Sequence, residues 1–275
     1  EYSALKLDIL FVINPLTIWD LKGIKECKGT FLPNTPEGFL AWSDYVETLV
    51  KRYQGKVKAW EIYNEPRGDY GNKNGASYAQ LVKYGYLAVK RVDPNALVVL
   101  GGLTGGDPQL TWFGGCDDYR RRFPIGCQEG PEKGVLDYLR DDPDCQGTGC
   151  FDVFDYHTYA FANEYRVDGK EERRTHQDFV ELLRFHGFTS KLIINKEGAT
   201  YSGEDMRAEK DGRPLTLQTE QDQAIFLFKR AVYRVSEGLA RVHWSRFREQ
   251  ARTQPQLANY MGLIYNGIPN KCSSG

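Results

Sequence analysis

Two glutamates stand near the ends of apolar runs in this 275-residue chain. The segment 60–66 reads WEIYNEP and carries Glu65, and the segment 193–200 reads IINKEGAT and carries Glu197. Each glutamate is followed by a residue that turns the chain, proline in the first case and glycine in the second. If both runs are strands of one parallel sheet, their carboxylates share a rim, because parallel strands end on the same side.

A pair of carboxylates on one rim is suited to cleaving a glycosidic bond with retention of configuration. One group protonates the leaving oxygen while the other attacks the anomeric carbon, at a separation of about 5–5.5 Å. The plainer interpretations are that Asn-Glu-Pro is a turn after a strand, and that Glu197 is a surface carboxylate beside Lys196.

Six apolar runs predict strands, and amphipathic segments between them predict helices. The predicted strands are 9–13, 58–65, 96–102, 152–159, 191–197 and 240–247. The Thr35-Pro36-Glu37 sequence is a helix start signal, with a capping hydroxyl, proline and an acid in the first turn. Further helices are predicted from Ser77 and over about 131–139, 175–186 and 219–237.

The alternation of strand and helix predicts an α/β fold with a parallel sheet and right-handed crossovers. Segments after strands are long, as at 66–75 and 103–130, whereas segments after helices are short, as at 93–95. This asymmetry is typical of a (β/α)₈ TIM barrel, whose functional loops follow the strands. A doubly wound sheet is the alternative, but no predicted strand runs into a G-x-G-x-x-G turn.

Composition excludes some partners. The net charge is −1 and the basic runs are short, so we expect no nucleic-acid surface. No apolar run approaches the roughly 20 residues of a membrane helix. Aromatic residues make up 13% of the chain, which suits stacking on sugars and equally suits an ordinary core.

Six cysteines form an even set. Their proximity in sequence favours local disulfides, Cys116 with Cys127 and Cys145 with Cys150, and such bonds favour a secreted or extracellular protein. The spacing of Cys145 and Cys150 also suits zinc, but no second compact pair or histidine cluster accompanies it. Two further cysteines pair only if the chain ends approach each other: these are Cys27 and Cys272.

Four segments resemble, in the right order, motifs of the retaining glycoside hydrolases of clan A, a (β/α)₈ group that includes families 5 and 39. WEIYNEP resembles the strand-four signature, and FDYHTY at 154–159 resembles strand six. IINKEGAT is similar to strand seven, and VHWSRF at 242–247 to strand eight. The resemblance covers about the whole chain. It implies a hydrolase of β-glycosidic bonds in oligo- or polysaccharides, working by double displacement without a cofactor or a metal ion.

The resemblance also implies residue roles. Glu65 would be the acid/base, Glu197 the nucleophile, and Asn64 a ligand of the sugar's 2-hydroxyl. Tyr159 would donate a hydrogen bond to Glu197 and hold it ionised. The predicted substrate-binding set is completed by a pocket histidine and stacking tryptophans: His157, Trp244, Trp19 and Trp112.

The match departs from the clan pattern at its start. The run 9–13 corresponds to strand three, so strands one and two and the arginine of strand two have no counterpart. We therefore expect a single catalytic domain over 1–275 that is incomplete at its N-terminus. The alternatives are a non-catalytic carbohydrate-binding or scaffold protein on a degenerate glycosidase barrel, and a metal-dependent barrel hydrolase.

Overall fold

A computed structural model describes the chain at residues 7–15, 33–67, 75–103, 107–116, 132–159, 170–202, 209–210, 213–214, 218–247 and 261–264. The strands are β1 (Leu10–Ile13), β2 (Ala59–Ile62), β3 (Leu97–Leu100), β4 (Val153–His157), β5 (Leu192–Glu197), β6 (Glu209–Lys210), β7 (Arg213–Pro214) and β8 (Arg241–Val242). The helices are α1 (Pro36–Tyr53), α2 (Gly75–Val92), α3 (Asp107–Gly114), α4 (Val135–Asp141), α5 (Lys170–Phe185) and α6 (Glu220–Ser236), with a 3₁₀ turn at Pro143–Cys145.

The six predicted strands are confirmed, each shorter than predicted. They form one sheet in the order β1-β2-β3-β4-β5-β8, while β6 and β7 form a separate antiparallel pair. Parallel registers include Val12 opposite Glu61 and Ile194 opposite Arg241. The order follows the sequence without reversal, whereas a doubly wound sheet reverses at its switch point. The topology therefore matches the predicted barrel type; barrel closure and the two earlier strands stay predictions.

The chain divides into two compact units. The first comprises Glu1–Tyr156 and Gln177–Ile193, and the second comprises His157–His176 and Ile194–Gly275. The boundary between the two units passes through β4 and β5. The expectation of one catalytic domain over 1–275 stays a prediction.

In the first unit, α1 packs against α2 behind β2. The predicted start signal is confirmed, since the Thr35 hydroxyl accepts a hydrogen bond from Gly38 N at 3.1 Å and Pro36 begins the helix. Trp42 donates from Nε1 to Leu81 O at 3.0 Å, which couples the two helices. Fully buried side chains such as Val46 each stabilise the fold by about 1.5–3 kcal/mol.

One helix departs from the sequence prediction, and one predicted disulfide is present. Helix α3 lies within the segment 103–130, where a continuous loop was predicted. None of the described helices has the length and apolarity needed to cross a bilayer. The predicted Cys145–Cys150 disulfide is confirmed. Cys116 is also disulfide-bonded. Its predicted partner Cys127 lies outside the described residues, as do Cys27 and Cys272.

In the second unit, α6 packs beside β8. Its N-terminus is a capping box, in which Thr219 accepts from Asp222 N at 3.1 Å and the Asp222 carboxylate accepts from Thr219 N at 3.0 Å. Phe226 forms the centre of a small apolar cluster with Tyr233 and Trp244. This packing places the inward face of α6 next to the end of β5.

Candidate functional site

The strand that carries the WEIYNEP motif ends earlier than predicted. Strand β2 stops at Ile62 rather than at Glu65, and both Tyr63 (φ 68°) and Glu65 (φ 49°) adopt left-handed backbone conformations. Such conformations cost on the order of 1–3 kcal/mol for side-chain-bearing residues and persist only where surrounding contacts enforce them. The predicted strand 58–65 is therefore interrupted before Glu65, and the alternation of an extended strand ends at Ile62.

Hydrogen bonds from both neighbouring strand ends enforce this turn. Tyr63 N donates to the carbonyl of Ile13, the last residue of β1, at 2.9 Å, and Glu65 N donates to the carbonyl of Gly102, after β3, at 3.1 Å. Asn64 N donates to the Asn14 side-chain oxygen at 3.3 Å. The backbone of Asn64 and Glu65 is thus held by hydrogen bonds to the segments that follow β1 and β3, whereas the backbone of a solvated turn would bond to water.

The side chain of Tyr78 in α2 forms hydrogen bonds at the same end of β2. Its hydroxyl donates to Ile62 O at 2.8 Å and accepts from Gly101 N at 2.9 Å. A Cβ on Gly101 would lie 2.8 Å from Ile62 O and nearer still to Tyr63 O, so glycine is required there. The turn that holds Glu65 therefore depends on a tyrosine and a glycine that the sequence interpretation did not identify.

Glu197 ends β5 as predicted and is held by the end of β4. Its side chain is 29% exposed. The Tyr159 hydroxyl donates a hydrogen bond to Oε1 of Glu197, and His157 Nδ1 lies 3.4 Å from Oε2. The predicted Tyr159–Glu197 contact is present in the structure; its catalytic purpose stays a prediction.

Ser245 is a further partner of Tyr159, and the sequence prediction did not include it. Its Oγ lies 3.1 Å from the Tyr159 hydroxyl, and its amide donates to Gly198 O at 3.1 Å. Because the single proton of Tyr159 goes to the carboxylate, Ser245 acts as the donor to Tyr159. The position of Ser245 directly after Trp244, inside VHWSRF, was the available signal.

His157 is buried beside the candidate nucleophile. Its side chain is 0% exposed, and its Nδ1 lies 3.4 Å from Oε2 of Glu197. Its predicted role in substrate binding stays a prediction.

The three tryptophans predicted to stack on sugars differ in placement. Trp244 is partly buried, packs against Phe226 with ring centroids 6.2 Å apart, and donates from Nε1 to Met261 O at 2.7 Å. Trp112 lies in α3 rather than in the predicted loop, is 1% exposed and packs on Tyr78 with ring centroids 5.2 Å apart. The predicted stacking roles of Trp244 and Trp112 stay predictions. Trp19 lies outside the described residues.

Within the second unit, the arrangement is a partly exposed carboxylate held by a phenol. Such a donor fixes the orientation of the carboxylate. An oriented carboxylate at a strand end can attack an electrophilic carbon. Two arginines of α6 lie behind it, and the sequence interpretation missed both: these are Arg230 and Arg234. Their signal was their spacing, which puts them on the same helix face as Phe226.

Comparison with solved structures finds this fold in glycoside hydrolases. A glucosidase from Croceicoccus marinus superposes with a TM-score of 0.53 at 16% identity, covering 87% of this chain and 42% of that one. A family 39 glycoside hydrolase from the gut symbiont Bacteroides cellulosilyticus gives 0.51 at 17%, covering 85% and 42%. A β-D-glucuronidase of Dictyoglomus thermophilum gives 0.50 at 14%, covering 91% and 36%.

These likenesses concern the fold. The chain spans less than half the length of each of the three enzymes. No protein-family model matches the sequence, and no curated protein matches it.

Proposed function

We propose that this chain carries the active site of a retaining glycoside hydrolase of clan A that cleaves β-glycosidic bonds in oligo- or polysaccharides. The observation that carries the proposal is the Tyr159 hydroxyl bound to Glu197 at the end of β5. The fold shared with glycoside hydrolases supports it. The enforced turn at Asn64 and Glu65 supports a second working carboxylate.

In the proposed mechanism, Glu197 attacks the anomeric carbon and the bond from that carbon to the leaving oxygen breaks. Glu65 gives its proton to that oxygen, and a glycosyl ester on Glu197 remains. Glu65 then takes a proton from water, whose oxygen attacks the anomeric carbon and releases Glu197. Tyr159 keeps the Glu197 carboxylate oriented through the cycle, and Asn64 binds the 2-hydroxyl.

The two glutamates predict different failures, which allows a sharp test. Glu197→Ala should abolish turnover of every substrate, because no glycosyl ester forms. Glu65→Ala should spare substrates with good leaving groups, which need little protonation. The panel should begin with 2,4-dinitrophenyl and 4-nitrophenyl β-glucosides and β-glucuronides, and Glu132→Gln, an exposed carboxylate, serves as the control.

Azide separates the roles by stereochemistry. It should give a β-glycosyl azide with Glu65→Ala, by attack on the covalent intermediate, and an α-glycosyl azide with Glu197→Ala, by direct displacement. Reversed products would reverse the assignment. Sugar binding without turnover in the unmodified protein would instead favour a non-catalytic carbohydrate-binding protein.

The proposed location is extracellular. The Cys145–Cys150 disulfide supports it, because disulfides persist in oxidising compartments. Mapping of the natural protein without reduction tests this: an intact bond agrees, and free thiols at both positions contradict it.

A further inference from the structure

Two buried arginines lie behind the candidate nucleophile. Arg230 and Arg234 occupy successive turns on the inward face of α6 and are 1% and 2% exposed. Burying a cation is costly unless polar groups compensate it. Their hydrogen-bond acceptors therefore indicate what the two side chains hold in place.

Arg230 holds β5 on both sides of Glu197. Its Nη2 donates to the side-chain oxygen of Asn195, two residues before Glu197, and its Nη1 donates at 2.7 Å to the carbonyl of Gly198, directly after it. The same Nη1 lies 3.2 Å from the carbonyl of His243, next to β8. One planar guanidinium thus fixes the strand that presents the carboxylate and its neighbour.

Arg234 holds the segment that contacts the carboxylate. It donates from Nη2 to Thr158 Oγ1 at 3.0 Å, and the same oxygen accepts from Asn195 Nδ2 at 3.2 Å. The Thr158 amide donates to Glu197 O at 3.1 Å. Thr158 stands between the two residues whose side chains contact the Glu197 carboxylate, His157 and Tyr159.

We propose that Arg230 and Arg234 are positioning residues for the nucleophilic step. They fix the position of Glu197 relative to Tyr159 through hydrogen bonds to Asn195 and Thr158. This inference rests on the proposed function, in which Glu197 forms the glycosyl ester. The fork of a guanidinium spans several acceptors at fixed geometry, which an ammonium does not. Both arginines act through the residues around Glu197, by hydrogen bonds to Asn195, Gly198 and Thr158.

The test compares Arg230→Met, Arg230→Lys and Arg234→Met with Lys229→Met, a change that removes a cation from the same helix. The readouts are kcat, KM and the rate of trapping by an activated 2-deoxy-2-fluoro glycoside, each normalised to folded protein. Displacing the nucleophile by about 1 Å should lower kcat and the trapping rate by about 10- to 100-fold. KM should change by less than about threefold, since the sugar contacts are intact. Arg230→Lys should be faster than Arg230→Met but slower than the unmodified protein. Lys229→Met should leave kcat, KM and the trapping rate unchanged.

Several results would overturn the inference. Folded arginine variants with unchanged trapping rates would show that the pair only stabilises the fold. If Arg230→Met does not fold, Arg230→Lys and Arg234→Met carry the same test. If the unmodified protein cleaves no glycoside, the proposed function fails, and crystal structures decide the positioning: a displaced Tyr159–Glu197 hydrogen bond in Arg230→Lys supports it, and an unchanged one refutes it.

Discussion

Gly198→Ala should damage both stability and activity, because the residue after Glu197 has no room for a side chain. A Cβ there would lie 2.7 Å from Arg230 Cζ, and nearer to Arg230 Nη2 and to the Thr158 carbonyl oxygen. The Thr158 contact is to backbone, so the ends of β4 and β5 must move apart. Overpacking of this kind costs about 2–3 kcal/mol, which corresponds to a fall in Tm of about 4–12 °C. The same displacement should lower kcat by about 100-fold.

Calorimetry gives the first quantity and steady-state kinetics on an aryl β-glycoside the second. Gly75→Ala is the matched control, since its nearest neighbour would be Val135 Cγ2 at an ordinary 3.5 Å. Adding Arg230→Ala should make the loss in Tm less than additive, because the two residues collide directly. A Gly198→Ala protein with unchanged Tm and kcat would refute the close packing of α6 on β5 described above.

Three further predictions concern single contacts. Tyr159→Phe should lower kcat/KM by about 10- to 150-fold, the equivalent of the roughly 1.5–3 kcal/mol of a hydrogen bond to a charged group; an unchanged kcat/KM in the same aryl-glycoside assay would remove the role of the phenol. Replacing Cys145 and Cys150 by serine should reduce the free energy of unfolding by about 2 kcal/mol in denaturant titrations, since the closed loop is short; no reduction would mean that the bond leaves the unfolded chain unconstrained. Burial and the charge of Arg234 lower the pKa of His176, although the hydrogen bond to the Glu237 carbonyl opposes this. The unfolded chain therefore binds more protons than the folded one, and the free energy of unfolding should fall as the pH drops below about 6.5. His176→Gln should flatten this dependence between pH 7 and 5 in denaturant titrations, and an unchanged slope would contradict the prediction.

Much of the scaffold follows from local sequence. The six apolar runs and the start signals at Thr35 and Thr219 depend on neighbouring residues alone, and the structure contains them. Helix α3 did not follow, because its short segment has weak periodicity between glycine-rich flanks. Trp112 was consequently assigned to a loop, although it packs in the core.

The details of the site depend on partners that are distant in sequence. The left-handed turn at Tyr63 and Glu65 is enforced by carbonyls from the ends of β1 and β3, which no local pattern in WEIYNEP reveals. The burial of Arg230 likewise depends on acceptors on β5 and beside β8. The position of Glu197 at the end of β5 and its contact with Tyr159 were predictable, whereas the other contacts around the two carboxylates were not.

The most direct measurement is to locate the covalent intermediate. The protein would be inactivated with a 2,4-dinitrophenyl 2-deoxy-2-fluoro β-glycoside of whichever sugar it cleaves, digested, and its labelled peptide sequenced by tandem mass spectrometry. The proposed mechanism predicts one glycosyl group per chain, attached to Glu197 and absent from the Glu197→Ala protein. A label on Glu65 or on any other residue, or rapid turnover with no covalent adduct, would contradict it.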